Sequence, residues 1–444
     1  MKKRLSRRDT SSTWLHKIVD LNRQGAPLGV FSVCSAHPNV LRAAMSQALD
    51  DESILCVEST SNQVNQSGGY SGFTPTMFAS QVYAIARDVG LKRERILLGG
   101  DHLGPYPWRD QLSRAAMENA CELVRSCVLA GYTKIHLDTS MPCIDDGNMK
   151  LDGEIVARRT ALLCRVAENA WAELPPASPT LAYVIGTEVP LPGGEQEVVN
   201  ELRVTNVADM RDTLEIYRAV FQSDGLDSPW QRIVGLVVQP GVEFGDTTVF
   251  EYERHKAKDL SENLPASPSL VYEAHSTDYQ TPVALRQMVE DHFGILKVGP
   301  WLTFAFREAV FALSAIEQEW LIHRRGLRMS QVAQALEQAM LRNPAHWNAY
   351  YSGNNEELAF ARRYSYSDRC RYYWPDPLVQ KEMELLLSNL GTSEIPLVLL
   401  SQYMPQQYET VRSGAISAAP NILIEDRIKH VLRVYSAACS GGKL

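Results

Sequence analysis

Three observations predict a (β/α)₈ barrel with a C-terminal helical extension. Eight short apolar, β-rich runs recur through roughly the first 300 of 444 residues; each leads into polar or Gly-rich residues and then a helical pattern; and the runs are near-continuously apolar. Such strands are buried on both faces, as parallel strands are beneath covering helices. Eight strand–helix units in this length favour a closed barrel over an open doubly wound sheet.

In order, the runs are LGVFSVCSA (28–36), ILCVES (54–59), RILLGGDH (95–102), KIHLD (134–138), LAYVIGTEV (181–189), RIVGLVVQPG (232–241), LVYEAHSTD (270–278) and GILKVGP (294–300). Between them lie amphipathic helices. Residues 110–129 place Ala116, Ala120, Leu123 and Cys127 on one face, with Gly131 as a stop. A second helix is expected over 302–324, with Phe306, Val310, Leu313 and Trp320 at helical spacing. After residue 326 only helical patterns with aromatics and Pro breaks occur, so 25–325 read as the barrel and 326–444 as a helical extension packed on the barrel or on a partner. Residues 1–24 open on MKKRLSRRDTSSTW, which lacks the apolar segment of a secretory signal and reads as a solvated, frayed basic end.

With 45% hydrophobic and 22% charged residues the chain can bury a large core. No apolar run approaches the roughly 18 residues of a membrane helix, and a net charge of −8 disfavours a polyanion. Neither a membrane nor nucleic acid is expected as a partner. Eight cysteines without metal-finger spacing, in a chain large enough to fold without disulfides, point to a reducing cytoplasm. Cys56 and Cys164 fall inside apolar patterns as core fillers.

In such a barrel the reactive groups come from the C-terminal strand ends, which converge on one mouth. Those ends supply Cys34, Ser35 and His37; Glu58, Asn62, Asn65 and Gln66; Asp101 and His102; His136 and Asp138; Glu188; Gln239 and Glu243; Glu273, His275, Ser276 and Asp278; and Lys297 with Gly299. A single polar strand end is ordinary helix capping. A whole ring of them is costly unless paired or metal-bound. His102 and His275 are the candidate metal ligands, and Glu188 completes a two-His-plus-carboxylate set for one divalent ion, zinc- or manganese-like; hydrogen-bonded structural histidines are the competing reading. Asp101, with Glu58 and Asp138, offers carboxylates for proton transfer.

Asp101 and His102 are adjacent, so both reach the mouth only where the strand breaks, and Gly99 and Gly100 permit that break. Thr281 reads as an N-cap and Pro282 as the first helical residue, placing helix amides near Ser276, Asp278, Lys297 and Gly299 for a phosphate. Ser35 and the amides Asn62, Asn65 and Gln66 suit sugar hydroxyls, and the Gly-rich stretch that ends at Gly72 is a candidate lid.

The blocks SVCSAHPNV, ESTSNQVNQSGGYSGFTP, LGGDHLGP, KIHLDTSM, YVIGTEVPLPGGE, VVQPGVEF, VYEAHSTDYQT, LKVGP and RYYWP closely resemble the Z-type (GatZ/KbaZ-like) subunits of class II tagatose-1,6-bisphosphate aldolases, from about residue 25 onward. The resemblance implies a companion without catalysis of its own, required for the stability and full activity of a Y-type catalytic subunit in galactitol and N-acetylgalactosamine breakdown. It also implies a small sugar phosphate as ligand and an oligomeric assembly. The alternative is an independent metal-dependent ketose-phosphate 4-epimerase or aldolase. Some members are described as tagatose-6-phosphate kinases, which the lack of a P-loop does not support; no nucleotide cofactor is expected. By the same likeness Asp101 matches the proton-transfer Asp of the catalytic aldolases, and His102 and His275 match metal ligands. Where those chains read IGTAHG, this one reads IGTEVP, with Glu188 one position before the missing His.

Overall fold

A computed structural model describes residues 11–147, 151–186, 202–266 and 268–441. Eight strands form a closed barrel: β1 (Val30–Cys34), β2 (Leu55–Thr60), β3 (Ile96–Leu103), β4 (Lys134–Leu137), β5 (Ala182–Ile185), β6 (Ile233–Val237), β7 (Val271–Ala274) and β8 (Ile295–Val298). Each predicted run contains one of them. β1 closes the ring by pairing in parallel with β8, Val30 opposite Ile295, and with β2, Cys34 opposite Glu58. The helix expected over 110–129 spans Ser113–Leu129 and buries Ala116, Ala120, Leu123 and Cys127; the one expected over 302–324 spans Pro300–Leu321. Cys56 and Cys164 are buried.

Alternation along the strands sorts the barrel interior into layers, because residues two apart share a face. At the strand starts Val30, Ile54, Leu97, Val271 and Ile295 form an apolar floor. Two residues on stand Ser32, Cys56, Gly99, Glu273 and Lys297; Lys134 opens β4 at the same level. Two further on come Cys34, Glu58, Asp101, His136 and His275. The interior thus passes from hydrocarbon to charge to side chains of metal-binding types toward the mouth.

β3 departs from this regularity where the sequence reading placed a break, but by a different device. The backbone turns at His102, whose φ is +49, and the pairing with β4 shifts register between Gly100 and Leu103. Neither Gly99 nor Gly100 has a positive φ; they provide space. A Cβ on Gly99 would lie 3.0 Å from Glu58 Cγ and 3.2 Å from Lys134 Cβ, and one on Gly100 would lie 2.5 Å from the Leu103 side chain. The left-handed turn at a non-glycine residue is local strain of the kind functional sites hold.

The expectation of a frayed segment over 1–24 is corrected for its second half. Ser11–Arg23 is a helix, and Leu15 and Val19, one turn apart, are buried against the apolar floor of the barrel. Asn22 and Arg23 fasten its end by donating to the carbonyls of Leu28, Val289, Leu270 and Pro265. The cluster of basic residues that suggested fraying precedes the helix and lies outside the described residues.

Past residue 326 the described chain is helical, with Val332–Arg342, Asn355–Tyr364, Pro377–Leu390, Leu397–Tyr403, Pro405–Arg412 and Pro420–Cys439. The last of these packs on the helix after β8 (Pro300–Leu321), on the helices after β1 (Pro38–Asp50) and β7 (Pro282–Glu290), and on β1, so it stands in the outer layer between the helices after β7 and β1. Its Tyr435 hydroxyl donates to the Thr277 carbonyl at 2.7 Å. Among the described residues no helix is long and apolar enough to cross a membrane.

Thr281 caps the helix starting at Pro282, as expected. The helix after β8 is capped by Asp278, whose Oδ1 accepts from the amides of Gly299 (2.9 Å) and Trp301 (2.8 Å). Burial pushes the Asp278 carboxyl up to about 6, against the pull of those amides. A folded-state pKa above the unfolded one means that the stability linked to this group is complete below about pH 4 and is lost as pH rises through about 6. Asp278→Asn keeps an acceptor oxygen and removes the titration. Urea unfolding is expected to show the variant gaining on the parent by about 2 kcal/mol between mildly acidic and neutral pH; a constant difference would show that Asp278 does not titrate there. Gly100→Ala is expected to lower stability by about 1–3 kcal/mol through overpacking against Leu103.

Candidate functional site

Two lysines hold the charged layer together. Lys134 Nζ lies 2.5 Å from Glu58 Oε1 and 2.7 Å from Glu273 Oε2. Lys297 Nζ pairs with Glu58 Oε2 and lies 2.8 Å from Asp101 Oδ1 and 3.5 Å from Glu273 Oε1. Burial works against both lysine charges, but Glu273 and Glu58 around Lys134, and Asp101 with other acidic neighbours around Lys297, raise both pKa values. Burial also favours neutral Glu273, and the two lysines outweigh it. With Asp138 the region holds four carboxylates against two lysines. That excess of negative charge, walled off from water, favours a cation.

Directly above, Asp101, His102, His136 and His275 bring one ligand atom each to within 4.8 Å of one another. Each ring is oriented by a carboxylate, an arrangement that fixes tautomers in metal sites. His102 Nδ1 is 2.9 Å from Asp138 Oδ2, which leaves Nε2 facing Asp101 at 3.7 Å. His275 Nε2 is 3.0 Å from Glu273 Oε1, leaving Nδ1. His136 Nδ1 is 2.8 Å from Asp101 Oδ1, and its Nε2 is buried without a hydrogen-bond partner. The His102 amide lies 3.1 Å from the same His136 Nδ1 and would donate to it only in the other tautomer; the ionised Asp101 favours Nδ1–H. An orphaned, buried imidazole nitrogen facing two further histidines fits a divalent transition metal.

The carboxylates around the rings favour a positive charge there, a proton on His102 or a metal ion in its place. Burial opposes charge on His102, but Asp101 and Asp138 outweigh it and raise its pKa. Burial lowers His275 to about 4 despite Glu273, so this ring is neutral at pH 7. Burial alone would neutralise Asp101, yet His102 and Lys297 hold its carboxyl well below the ordinary range.

The structure brings together Asp101, His102, His275, Ser35, Asn62, Ser276, Asp278, Lys297 and Gly299 around one cavity of about 480 Å³. Glu58 and Asp138 lie behind it, bracing Lys297 and His102 rather than facing a ligand. Asn65 and Gln66 do not reach it: Asn65 organises its own loop through the Ser61 carbonyl and the Ser67 and Gly69 amides, and Gln66 donates to the Asn119 carbonyl. A polar loop reads the same in sequence whichever way its amides point. Of the expected phosphate cradle, the Gly299 amide is occupied by Asp278, and Thr281 and Pro282 at the start of the helix after β7 do not line the cavity. Glu188 lies outside the described residues.

Sequence reasoning noted His136 as a strand-end group but not as a ligand, although Lys134 and His136, two apart in KIHLD, must share a face. It also missed the C-terminal contribution: Arg371, Tyr372 and Trp374, from RYYWP, line the cavity. Tyr372 meets Tyr70 of the Gly-rich loop edge to face at 4.5 Å, so that loop and the extension touch over the mouth.

Comparison with solved structures finds a probable tagatose 6 phosphate kinase from Sinorhizobium meliloti 1021, 42% identical over 93% of this chain and 100% of that one, with a TM-score of 0.85. The YdjI aldolase from Escherichia coli K12 (11% identity, 85% and 98% covered, TM-score 0.39) and a fructose-bisphosphate aldolase from Campylobacter jejuni (13%, 88% and 95%, 0.43) are too distant to carry an argument. The family model described as D-tagatose-1,6-bisphosphate aldolase subunit GatZ/KbaZ-like matches residues 15–440. Matched over nearly its whole length, this chain belongs to the GatZ/KbaZ-like family of tagatose-bisphosphate aldolase subunits.

Proposed function

We propose that this aldolase subunit has its own metal-dependent centre for carbon–carbon bond chemistry on a ketose phosphate, cleaving it or exchanging its C4 configuration. The observation that carries this reading is His136 Nε2, buried and unpartnered beside His102 and His275 above an anionic layer. Histidines kept only for stability would be expected to satisfy both ring nitrogens.

His102, His136 and His275 would hold the ion, zinc- or manganese-like, with Glu188 as the further ligand expected from the sequence. A divalent cation there would supply Lewis acidity to the sugar's carbonyl group. Asp101 moves the proton. Its Oδ1 is engaged by His136 and Lys297, whereas Oδ2 has only His102 Nε2 at 3.7 Å and Cys34 Sγ at 3.9 Å. Oδ2 is therefore the atom that accepts the hydroxyl proton as the C3–C4 bond breaks and returns it on recombination. Lys297 steadies Asp101, and Asp138 aims His102. The Gly-rich loop, closing against Tyr372, keeps water from the reactive intermediate and the released aldehyde in place.

A second reading draws on IGTEVP standing where catalytic chains have IGTAHG: a companion that stabilises a Y-type subunit in the cytoplasm, in galactitol breakdown. Assaying the purified chain alone separates the two. On the first reading it takes up one equivalent of metal, converts a ketose phosphate and loses this with chelator; on the second it is inert until a Y-type chain is added. Asp101→Asn is expected to lower kcat by about 10²–10⁴-fold with the fold intact. His136→Ala is expected to abolish stoichiometric cobalt(II) uptake, read by its visible absorbance; full uptake would remove His136 from the ligand set.

A further inference from the structure

We infer that Arg371, carried by the C-terminal extension, binds the phosphate end of the substrate, in place of the helix N-terminus after β8. The inference rests on the proposed function only in taking the cavity to hold a phosphorylated sugar. Three observations carry it.

First, neither part of the position expected for phosphate is open to it: the helix after β7 is capped by its own Thr281 and its first residues do not line the cavity, and the amides after β8 are filled. Asp278 Oδ1 accepts from both the Gly299 and Trp301 amides, so a phosphate there would have to displace a carboxylate. The charged layer repels an anion as well, since Lys297 is shared among Glu58, Asp101 and Glu273.

Second, Arg371 lines the same cavity and forms no ion pair among the described residues. Its guanidinium is held by neutral groups: Nη1 donates to the carbonyls of Ser367 and Asp368 and Nη2 to the Tyr372 hydroxyl at 2.8 Å. The nearby Asp368 carboxylate is taken by Arg307 Nε at 2.9 Å and the Thr303 hydroxyl at 2.6 Å. Burial disfavours an unneutralised guanidinium, and a bound oxyanion removes the penalty.

Third, the same 3₁₀ turn, Arg369–Tyr373, carries a second guanidinium that forms no ion pair among the described residues and lies over the Tyr350 ring. Arg369 is 2% exposed, donates from Nη1 to the His346 carbonyl at 3.0 Å, and has Nε and Nη2 buried without partners. Arg371 lines the cavity and Arg369 stands behind it in the same turn, so this wall is positive, opposite in sign to the carboxylate layer beneath the histidines. A ligand with a carbonyl at one end and a phosphate at the other fits that polarity.

Isothermal titration of the full chain with inorganic phosphate tests the assignment. The parent is expected to bind phosphate, and Arg371→Met to weaken binding by about tenfold or more. Arg371→Lys, which keeps the charge and loses the planar fork, is expected to weaken it by about fivefold. Phosphate binding unchanged in either folded variant, or absent from the folded parent, overturns the inference; acetate binding tighter than phosphate through Arg371 overturns it in favour of a sugar acid. If Arg371→Met does not fold, Arg371→Lys alone decides. Cobalt(II) uptake by the same proteins keeps the two readings apart, because Arg371-dependent phosphate binding without metal binding would sink the proposed chemistry and leave this inference standing.

Discussion

Inside the barrel, Lys134 and Lys297 share Glu58, Asp101 and Glu273 across strands β2, β3, β4, β7 and β8. Everything above depends on this network. It is a poor source of stability in itself, since buried ion pairs repay their desolvation only partly, and deleting one member leaves the others stranded at a cost of about 3–5 kcal/mol. What it provides is position. Asp101 is held by one oxygen and left with the other free, His275 is oriented by Glu273, and the layer as a whole carries surplus negative charge beneath three imidazoles.

The network also explains why β3 is built as it is. Leu97, Gly99 and Asp101 alternate inward in the ordinary way, and Gly99 has no side chain because Glu58 and Lys134 occupy that volume. His102 would then point outward. Its left-handed backbone turns it back over the barrel, where Asp138 receives it. Two adjacent residues serve one site through one strained residue and one missing side chain.

Much of this was legible in the sequence. Eight apolar runs predicted eight strands, since parallel strands buried on both faces leave a signal that needs no partner to read. Asp101, His102 and His275 were legible from their place at strand ends. Legibility failed where direction or distance decided: Asn65 and Gln66 differ from Asn62 only in where their amides point, and Arg371 reaches the mouth from a segment more than 250 residues after Asp101. The amphipathic Leu15–Val19 turn was overlooked beside the basic residues preceding it, although i and i+4 leucine and valine are what an open barrel end can bury.

The helix Pro420–Cys439 stands in the outer layer between the helices after β7 and β1. The strand ring closes between β1 and β8, but the helical layer outside it is completed by a segment nearly the whole chain away from β1. Contacts of such high sequence separation are the ones that slow folding, because the intervening chain must be ordered before they reward it.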